Sequence, residues 1–410
     1  MSEADNPRIL VAGGGVAGLE ACLALRTYLD EAQLRIDLLC REDRFEYRPL
    51  AVLEPFDGTP PWSMKLERFA ADQDVGLVRD ALAAVDPDRR IAMTAYSGHL
   101  PYDALLVCVG ARAVRTLPGA ITFRGSRDAE AVRAALDAVQ PGDVGTIAFA
   151  VPFGAFWTLP LYELAILAAA RLRARVTRAG VVLTSPEAAP LEAFGTAASA
   201  AVAQVLDAHA IEFTPRARAI AADSGELELD DGRRIAAAAV VTLPTLVGRR
   251  VAGVPQDAEG FIAVDDHGRV PALDGVYAAG DVTTFPLKQG GLATQQADAA
   301  AEAMLAALGV PIVPRPFDPV LKGVLYTDRE PAYLRSTMRG EGSEPRAYSM
   351  WWPPSKIAGH HLAPYLTTRA GAPRAPEVRP ERDAIAVDVD VAAAVHAVAD
   401  ALDPGAVPPG

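Results

Sequence analysis

Short apolar runs alternate along the chain with longer Ala- and Leu-rich stretches of helical period, first over residues 8–40 and again over 145–185. Each region reads strand, turn, helix, strand. "RILVAGGGVAGLEACLALRTYL" leads to "RIDLLC", and "TIAFAV" followed by "LPLYELAILAAARLR" leads to "GVVLTSPE". This is the pattern of repeated βαβ units, the second a duplicate of the first with its turn altered. Between them, "VRDALAAVDPDRRIAMTAYSGHLPYDALLVCVGARA" predicts short strands, a hairpin-like turn and a buried strand ending at Gly110, where the chain crosses to the next domain. After residue 250, "GFIAVDDHGRVPALDGVYAAGDVTTF" returns to strands and leads into the helix "LATQQADAAAEAMLAAL". The expected boundaries are a discontinuous first domain of residues 1–115 and 252–314, a second domain of 116–251, and a small C-terminal domain of 315–370. Residues 371–410 read as a loosely attached acidic tail with one short helix at Val391 to Leu402.

One run imitates a membrane span: Val144 to Tyr162 holds nineteen residues without a charge. Pro152, Gly154 and Pro160 divide it, so a buried strand, a turn and a helix start explain it better. A formal net charge of -13 excludes a nucleic-acid groove or a polybasic membrane patch, because both need clustered Lys and Arg. The three cysteines, Cys22, Cys40 and Cys108, form no disulfide framework and no CxxC pair, and free cysteines in predicted buried elements are expected to be inert. With no signal-peptide pattern at the N-terminus, a reducing cytoplasm is the expected setting.

Gly13-Gly14-Gly15-Val16-Ala17-Gly18 follows a strand and opens a helix, the context in which GxGxxG holds a dinucleotide pyrophosphate. Gly13 allows the tight turn, Gly15 the close approach of phosphate, and Gly18 the packing of helix on strand. The acid that grips the ribose should close the second strand, but Cys40 stands there and Glu42 follows two residues on; the ribose contact stays open between them. Far along the chain, "LDGVYAAGDVTTF" matches the motif with which flavoproteins hold a ribityl chain. Together these motifs resemble the FAD-containing pyridine nucleotide-disulfide oxidoreductases, over nearly residues 5 to 310. The resemblance implies an α/β chain with two Rossmann-like (FAD/NAD(P)-binding) domains and a small C-terminal α+β domain, the first domain holding FAD. It implies that Asp281 bonds a ribityl hydroxyl beside Gly280, that Pro49 and Leu50 pass by the flavin with Arg48 a candidate contact to the pyrophosphate, that Val78 meets the adenine, and that Gly110 closes over the cofactor. Lys288, before Gln289-Gly290-Gly291, resembles the lysine aimed at the flavin pyrimidine edge in sulfide:quinone oxidoreductases and type II NADH dehydrogenases, where it stabilises charge developing on reduction.

The second unit departs from that pattern. Counting back from Glu163, the three glycine positions of a nicotinamide-binding turn fall at Phe156, Thr158 and Leu161. Bulky side chains there keep a pyrophosphate from the backbone, so NAD(P)H in the usual mode is not expected. "LPLYE" resembles the helix start of sulfide:quinone oxidoreductases and flavocytochrome c sulfide dehydrogenase. Those enzymes use cysteines beside the flavin, and no cysteine follows residue 108 here, so neither sulfide oxidation by that route nor disulfide reduction is expected. Glu163 is the candidate proton donor to a quinone-like acceptor, with a helix-terminal structural carboxylate as the alternative. Trp157, Trp351 and Trp352 are candidates for an apolar wall, or packing anchors. His360-His361 lacks ligand spacing, so no metal is assigned.

The resulting expectation is an FAD-dependent oxidoreductase passing two electrons from a small-molecule donor to a quinone-like or other small-molecule acceptor. The alternatives are an NAD(P)H oxidoreductase that binds nicotinamide unusually through Glu187, and a non-catalytic FAD-binding redox sensor. Peripheral attachment to the inner membrane face follows from family analogy alone, since the acidic tail lacks a basic interfacial face.

Overall fold

The computed structural model describes residues 6–328 apart from 97, 116, 141, 143–144 and 155–156, the backbone of the strand Ala332–Thr337, and residues 355–368. Trp351, Trp352, Phe156 and the acidic tail lie outside the described residues.

Five parallel strands form the first sheet, in the order Val276–Ala278, Ala104–Val107, Arg8–Ala12, Arg35–Leu39, Gly76–Val78. Alternate residues of its central strand serve two cores. Ile9 and Val11 pack beneath two helices, α1 (Val16–Tyr28) and a later one, while Leu10 and Ala12 join a core with Val85, Ala92 and Tyr102. The last three come from the segment of the three-stranded antiparallel sheet Leu82–Asp86, Ile91–Thr94, His99–Pro101, so the parallel sheet is covered on both faces, as its uninterrupted apolar strands require.

The same plan recurs. A second parallel sheet runs Ile121–Thr122, Ala239–Thr242, Thr146–Ala150, Gly180–Thr184, Ile211–Thr214. Ile147 and Phe149 face α2 (Leu159–Ala174) in one core; Ala148 and Ala150 share another with Leu227 and Leu229 of a three-stranded antiparallel sheet. The membrane-like run is thus the strand Thr146–Ala150, a turn with Gly154 at φ 73°, and the start of α2 with Pro160 in its first turn. Among the described residues no helix is long and apolar enough to cross a membrane.

The chain passes between the units at Gly110, in the left-handed region at φ 68°, and the crossing strand Ala111–Val114 pairs antiparallel with the returning strand Thr245–Gly248. The strand Val276–Ala278 then completes the first sheet and leads to α3 (Gly290–Ala307), which packs on α1. A hairpin, Val320–Leu325 with Ala332–Thr337, and a short helix α4 (Leu362–Thr368) form the C-terminal α+β part. Leu321 and Leu325 sit in the core under α2, whereas Ile357, Leu362, Tyr365 and Leu366 sit in the core between α1 and α3.

Candidate functional site

The glycine-rich turn joins the strand Arg8–Ala12 to α1. A Cβ on Gly13, at φ 135°, would stand 2.2 Å from the Cys108 carbonyl oxygen, and one on Gly18 would stand 1.8 Å from that of Gly13. Nothing lies within 4 Å of the Cβ position on Gly15, and no side chain caps the helix that starts there with Val16 and Ala17. The turn is closed behind and open in front, with the N–H groups of the first helical turn facing the opening. The two distant motifs meet at this point: the Cβ position on Gly280 lies 3.1 Å from Ala17 and 3.5 Å from Ala293.

Beside Gly280, the Asp281 carboxylate accepts no hydrogen bond from any described residue. Burial pushes its pKa up, against the opposing pull of Lys288 and Arg48. Lys288 is 7% exposed, donates to the Thr283 carbonyl and stands 4.2 Å from the Phe261 ring centre. Its pKa is lowered to about 8 by burial, opposed by Asp281 and Asp257. Gln289 accepts from the Leu292 amide at 2.9 Å, capping α3, and donates to the Lys322 carbonyl at 2.9 Å. On the other rim, Cys40 is buried with its thiol turned to the Glu42 carbonyl, whereas the Glu42 side chain is exposed beside Arg41 at 3.3 Å. Of these two side chains, Glu42 is the one that presents an oxygen to solvent. Val78 pairs with Leu39 at the sheet end, and Gly110 leaves open space at its Cβ position.

In the second unit the turn is filled. Leu161 is fully buried, and Glu187, past the end of the strand Gly180–Thr184, is held by its own neighbours. Tyr162 and Ser185 hydroxyls donate to it at 2.7 Å each, and Thr158 at 3.4 Å. The carboxylate that would grip a nicotinamide-dinucleotide ribose is thereby committed to the protein.

Between the units lies a cavity of about 300 Å³. Val52, Phe123, Trp157, Leu159, Leu243 and Leu246 give it apolar walls, and Trp157 stacks edge-on against Phe194 at 5.7 Å. Arg48, Pro49, Lys288 and Gln289 reach it from the first unit. Arg124 lines it as well, paired with Asp128 at 2.6 Å. The fourth cation of the lining, Lys356, is absent from the sequence-based candidates. The ammonium is 2.6 Å from Glu163 Oε2, 3.3 Å from the Pro49 carbonyl and 4.4 Å from the Tyr326 ring centre. Glu163 is fully buried, does not line the cavity, and accepts the Tyr326 amide at 2.7 Å on its other oxygen. Burial lowers the Lys356 pKa and raises that of Glu163, and their mutual attraction opposes both shifts. The group facing the cavity is therefore the lysine, with the glutamate behind it.

One signal could have found Lys356. Of 39 lysines and arginines only four are lysines, at 65, 288, 322 and 356. In a chain that otherwise uses arginine for positive charge, each of the few lysines is worth testing as a compact cation that can be buried and can yield its proton. Lys288 and Lys356 line the cavity, and the Lys322 carbonyl anchors Gln289. All three cysteines are buried, with Cys22 pushed up to about 12, Cys40 to about 11 and Cys108 upward, each by desolvation.

Residues 7–303 match the family described as pyridine nucleotide-disulphide oxidoreductase. A NADH dehydrogenase-like protein of Mycobacterium tuberculosis is 27% identical over 292 residues, covering 67% of this chain and 72% of the relative. Among solved structures, the sulfide:quinone oxidoreductase of the hyperthermophilic bacterium Aquifex aeolicus superposes with a TM-score of 0.68 at 19% identity, over 78% of this chain and 80% of that one. A ferredoxin reductase from Rhodopseudomonas palustris gives 0.62 at 20% identity, over 82% and 84%.

Proposed function

Because the chain belongs to the pyridine nucleotide-disulphide oxidoreductase family and is an FAD-dependent oxidoreductase, we propose that it passes two electrons to a planar, quinone-like acceptor in the apolar cavity, with Lys356 supplying a proton. We assign FAD to the unit of residues 1–115 and 252–314, the acceptor to its boundary with 116–251, and the completing lysine to the small unit of 315–370. The residues present fit the cofactor: an uncapped helix start over an open Gly15, and a carboxylate at Asp281 left without a donor. Gly13, Gly15, Val16, Ala17 and Gly18 would hold the pyrophosphate, Glu42 the ribose, Val78 the adenine and Asp281 beside Gly280 the ribityl chain. Arg48, Pro49, Gly110, Lys288 and Gln289 would border the ring. Bound there, flavin supplies the two-electron chemistry.

The protein supplies charge and protons. Lys288, its pKa already lowered to about 8, places a positive charge where negative charge develops. Lys356 carries a proton at the cavity wall, and Glu163 holds that ammonium in place. The observation that carries the reading is this buried pair at the edge of a pocket with apolar walls. A lysine desolvated to that degree gives up its proton more readily than one in water.

The donor follows from what is blocked. Tyr162, Ser185 and Thr158 hold Glu187, and no thiol lines the cavity, which argues against a dinucleotide in the usual pose and against sulfide by a cysteine route. An NADH donor in an unusual pose is the second reading, favoured by the name of the mycobacterial relative. The test is an anaerobic reductive titration of the purified protein with NADH, NADPH, sulfide and thiols, followed by reoxidation with a water-soluble quinone. Reoxidation that is slow in wild type, or equally fast in Lys356→Met, would rule out the proposed acceptor chemistry.

A further inference from the structure

Glu20 lies on the face of α1 that packs against α3 and is completely buried. Its two oxygens accept the backbone amides of His361 at 2.8 Å and Leu362 at 2.6 Å, so a carboxylate from the first unit caps α4, the helix that follows Lys356. The approach is close. A Cβ on Gly359 would stand 2.6 Å from Glu20 Oε2 and 2.9 Å from Thr294. From α3, Asp298 comes within hydrogen-bonding reach of Glu20, and its buried Oδ1 has no donor among the described residues.

Among the described residues no cation answers this pair of carboxyls. Arg315, from the loop after α3, is taken by Glu302 at 3.0 Å, and Tyr28 of α1 donates to that same Glu302. The His361 ring rests on Thr27 of α1 at 3.3 Å and keeps 3.9 Å from Asp298; burial, His360 and Arg315 lower its pKa to about 4, so it is neutral. Two buried carboxyls within hydrogen-bonding reach and without a counter-charge share a proton, because ionising both sets like charges side by side out of water.

We propose that Glu20 and Asp298 form a proton-keyed anchor: the proton they share holds residues 355–368 docked and so keeps Lys356 at the cavity. They are positioning residues, and their bearing on turnover rests on the proton role read above for Lys356. Burial raises Glu20 to about 7 and Asp298 to about 9. An acid whose docked-state pKa is raised stabilises the docked state fully below its free value, near 4, and that contribution is lost as pH climbs to the docked value. Docking therefore weakens from about pH 4 to about pH 9 and then levels off, by up to about tenfold per pH unit for each proton.

Endoproteinase Lys-C reads this directly, since the chain offers it only four lysines. Lys356 is buried, Lys65 is exposed and serves as the protease control, and buried Lys288 reports opening of the rest of the molecule. In the FAD-loaded protein, cleavage after Lys356, normalised to a free peptide spanning that bond, is expected to rise at least about tenfold from pH 7 to 9. Cleavage after Lys288 should not rise with it, and Asp298→Asn, which mimics the protonated partner, should abolish the rise. Glu20→Gln should be cut rapidly at both pH values, because the cap loses its charge and one acceptor. Equal wild-type cleavage at pH 7 and 9, or the same rise in Asp298→Asn, overturns the proposal. If cleavage responds as expected while quinone turnover stays flat with pH, the anchor stands and the proton role of Lys356 fails.

Discussion

Replacing Glu163 by Gln keeps the shape of the side chain and strips the buried Lys356 of its counter-charge. At 2.6 Å and an effective dielectric near 20 the pair's attraction is about 6 kcal/mol, an amount the lysine need not lose in full. It can instead release its proton. Taking a proton from an ordinary lysine, pKa about 10.4, at pH 7 costs about 4.6 kcal/mol, and this escape caps the loss of stability. The expected penalty at pH 7 is thus about 3–5 kcal/mol, the range found when one member of a buried pair is removed. The sign of its pH dependence is fixed as well. In the variant the folded-state pKa of Lys356 lies far below its unfolded value, so the folded state binds fewer protons and gains stability with rising pH. The gap to wild type should narrow by about 1.4 kcal/mol per pH unit until pH approaches about 10. Urea unfolding of both proteins with saturating FAD at pH 6, 7.5 and 9 measures it, and Glu163→Gln/Lys356→Met should recover most of the stability. A gap below about 1 kcal/mol at pH 7, or one that does not change with pH, would show that no buried ion pair is present.

Lys288→Met should make the bound flavin harder to reduce by about 30–60 mV, equivalent to one charge-assisted hydrogen bond of about 1.5–3 kcal/mol; an unchanged midpoint potential removes the assigned role. Lys356→Met should slow quinone reduction by about 10²-fold or more while leaving flavin reduction by the donor unaltered, as stopped-flow absorbance can separate. Gly13→Ala should yield protein without flavin absorbance, because the new methyl group would meet the Cys108 carbonyl at 2.2 Å; a yellow, stable variant would contradict the described turn. Glu187→Ala should leave any NADH-dependent bleaching as it was and cost about 1–3 kcal/mol of stability by leaving the Tyr162 and Ser185 hydroxyls without their acceptor, which parallel bleaching and melting experiments can verify.

Much of the fold is legible in local pattern. Uninterrupted apolar strands followed by helical periodicity announce both parallel sheets, and Gly13 to Gly18 sit where the turn needs them. The site is less legible, because it depends on meetings between distant residues. Glu163 can be picked out by its place on α2, yet its partner lies 193 residues away in a stretch without a motif. The turn at 152–158 reveals the loss of glycine; that Tyr162 reaches across to satisfy Glu187 is a property of the folded helix and strand. His360 and His361 invite a question about metals, whereas the informative atoms are the backbone amides of His361 and Leu362 resting on Glu20.

The C-terminal residues divide themselves between the two cores, Leu321 and Leu325 in one and Ile357 and Leu362 in the other. That division sets a timetable for the nascent chain. The second sheet can assemble while synthesis continues, but the first waits for the strand Val276–Ala278, and Glu163 waits longer still for its counter-charge. A chain that ends before residue 356 has a glycine-rich turn that can form but an interior carboxyl with no lysine to meet it, so the two units can be built before the buried ion pair that joins the C-terminal residues to them.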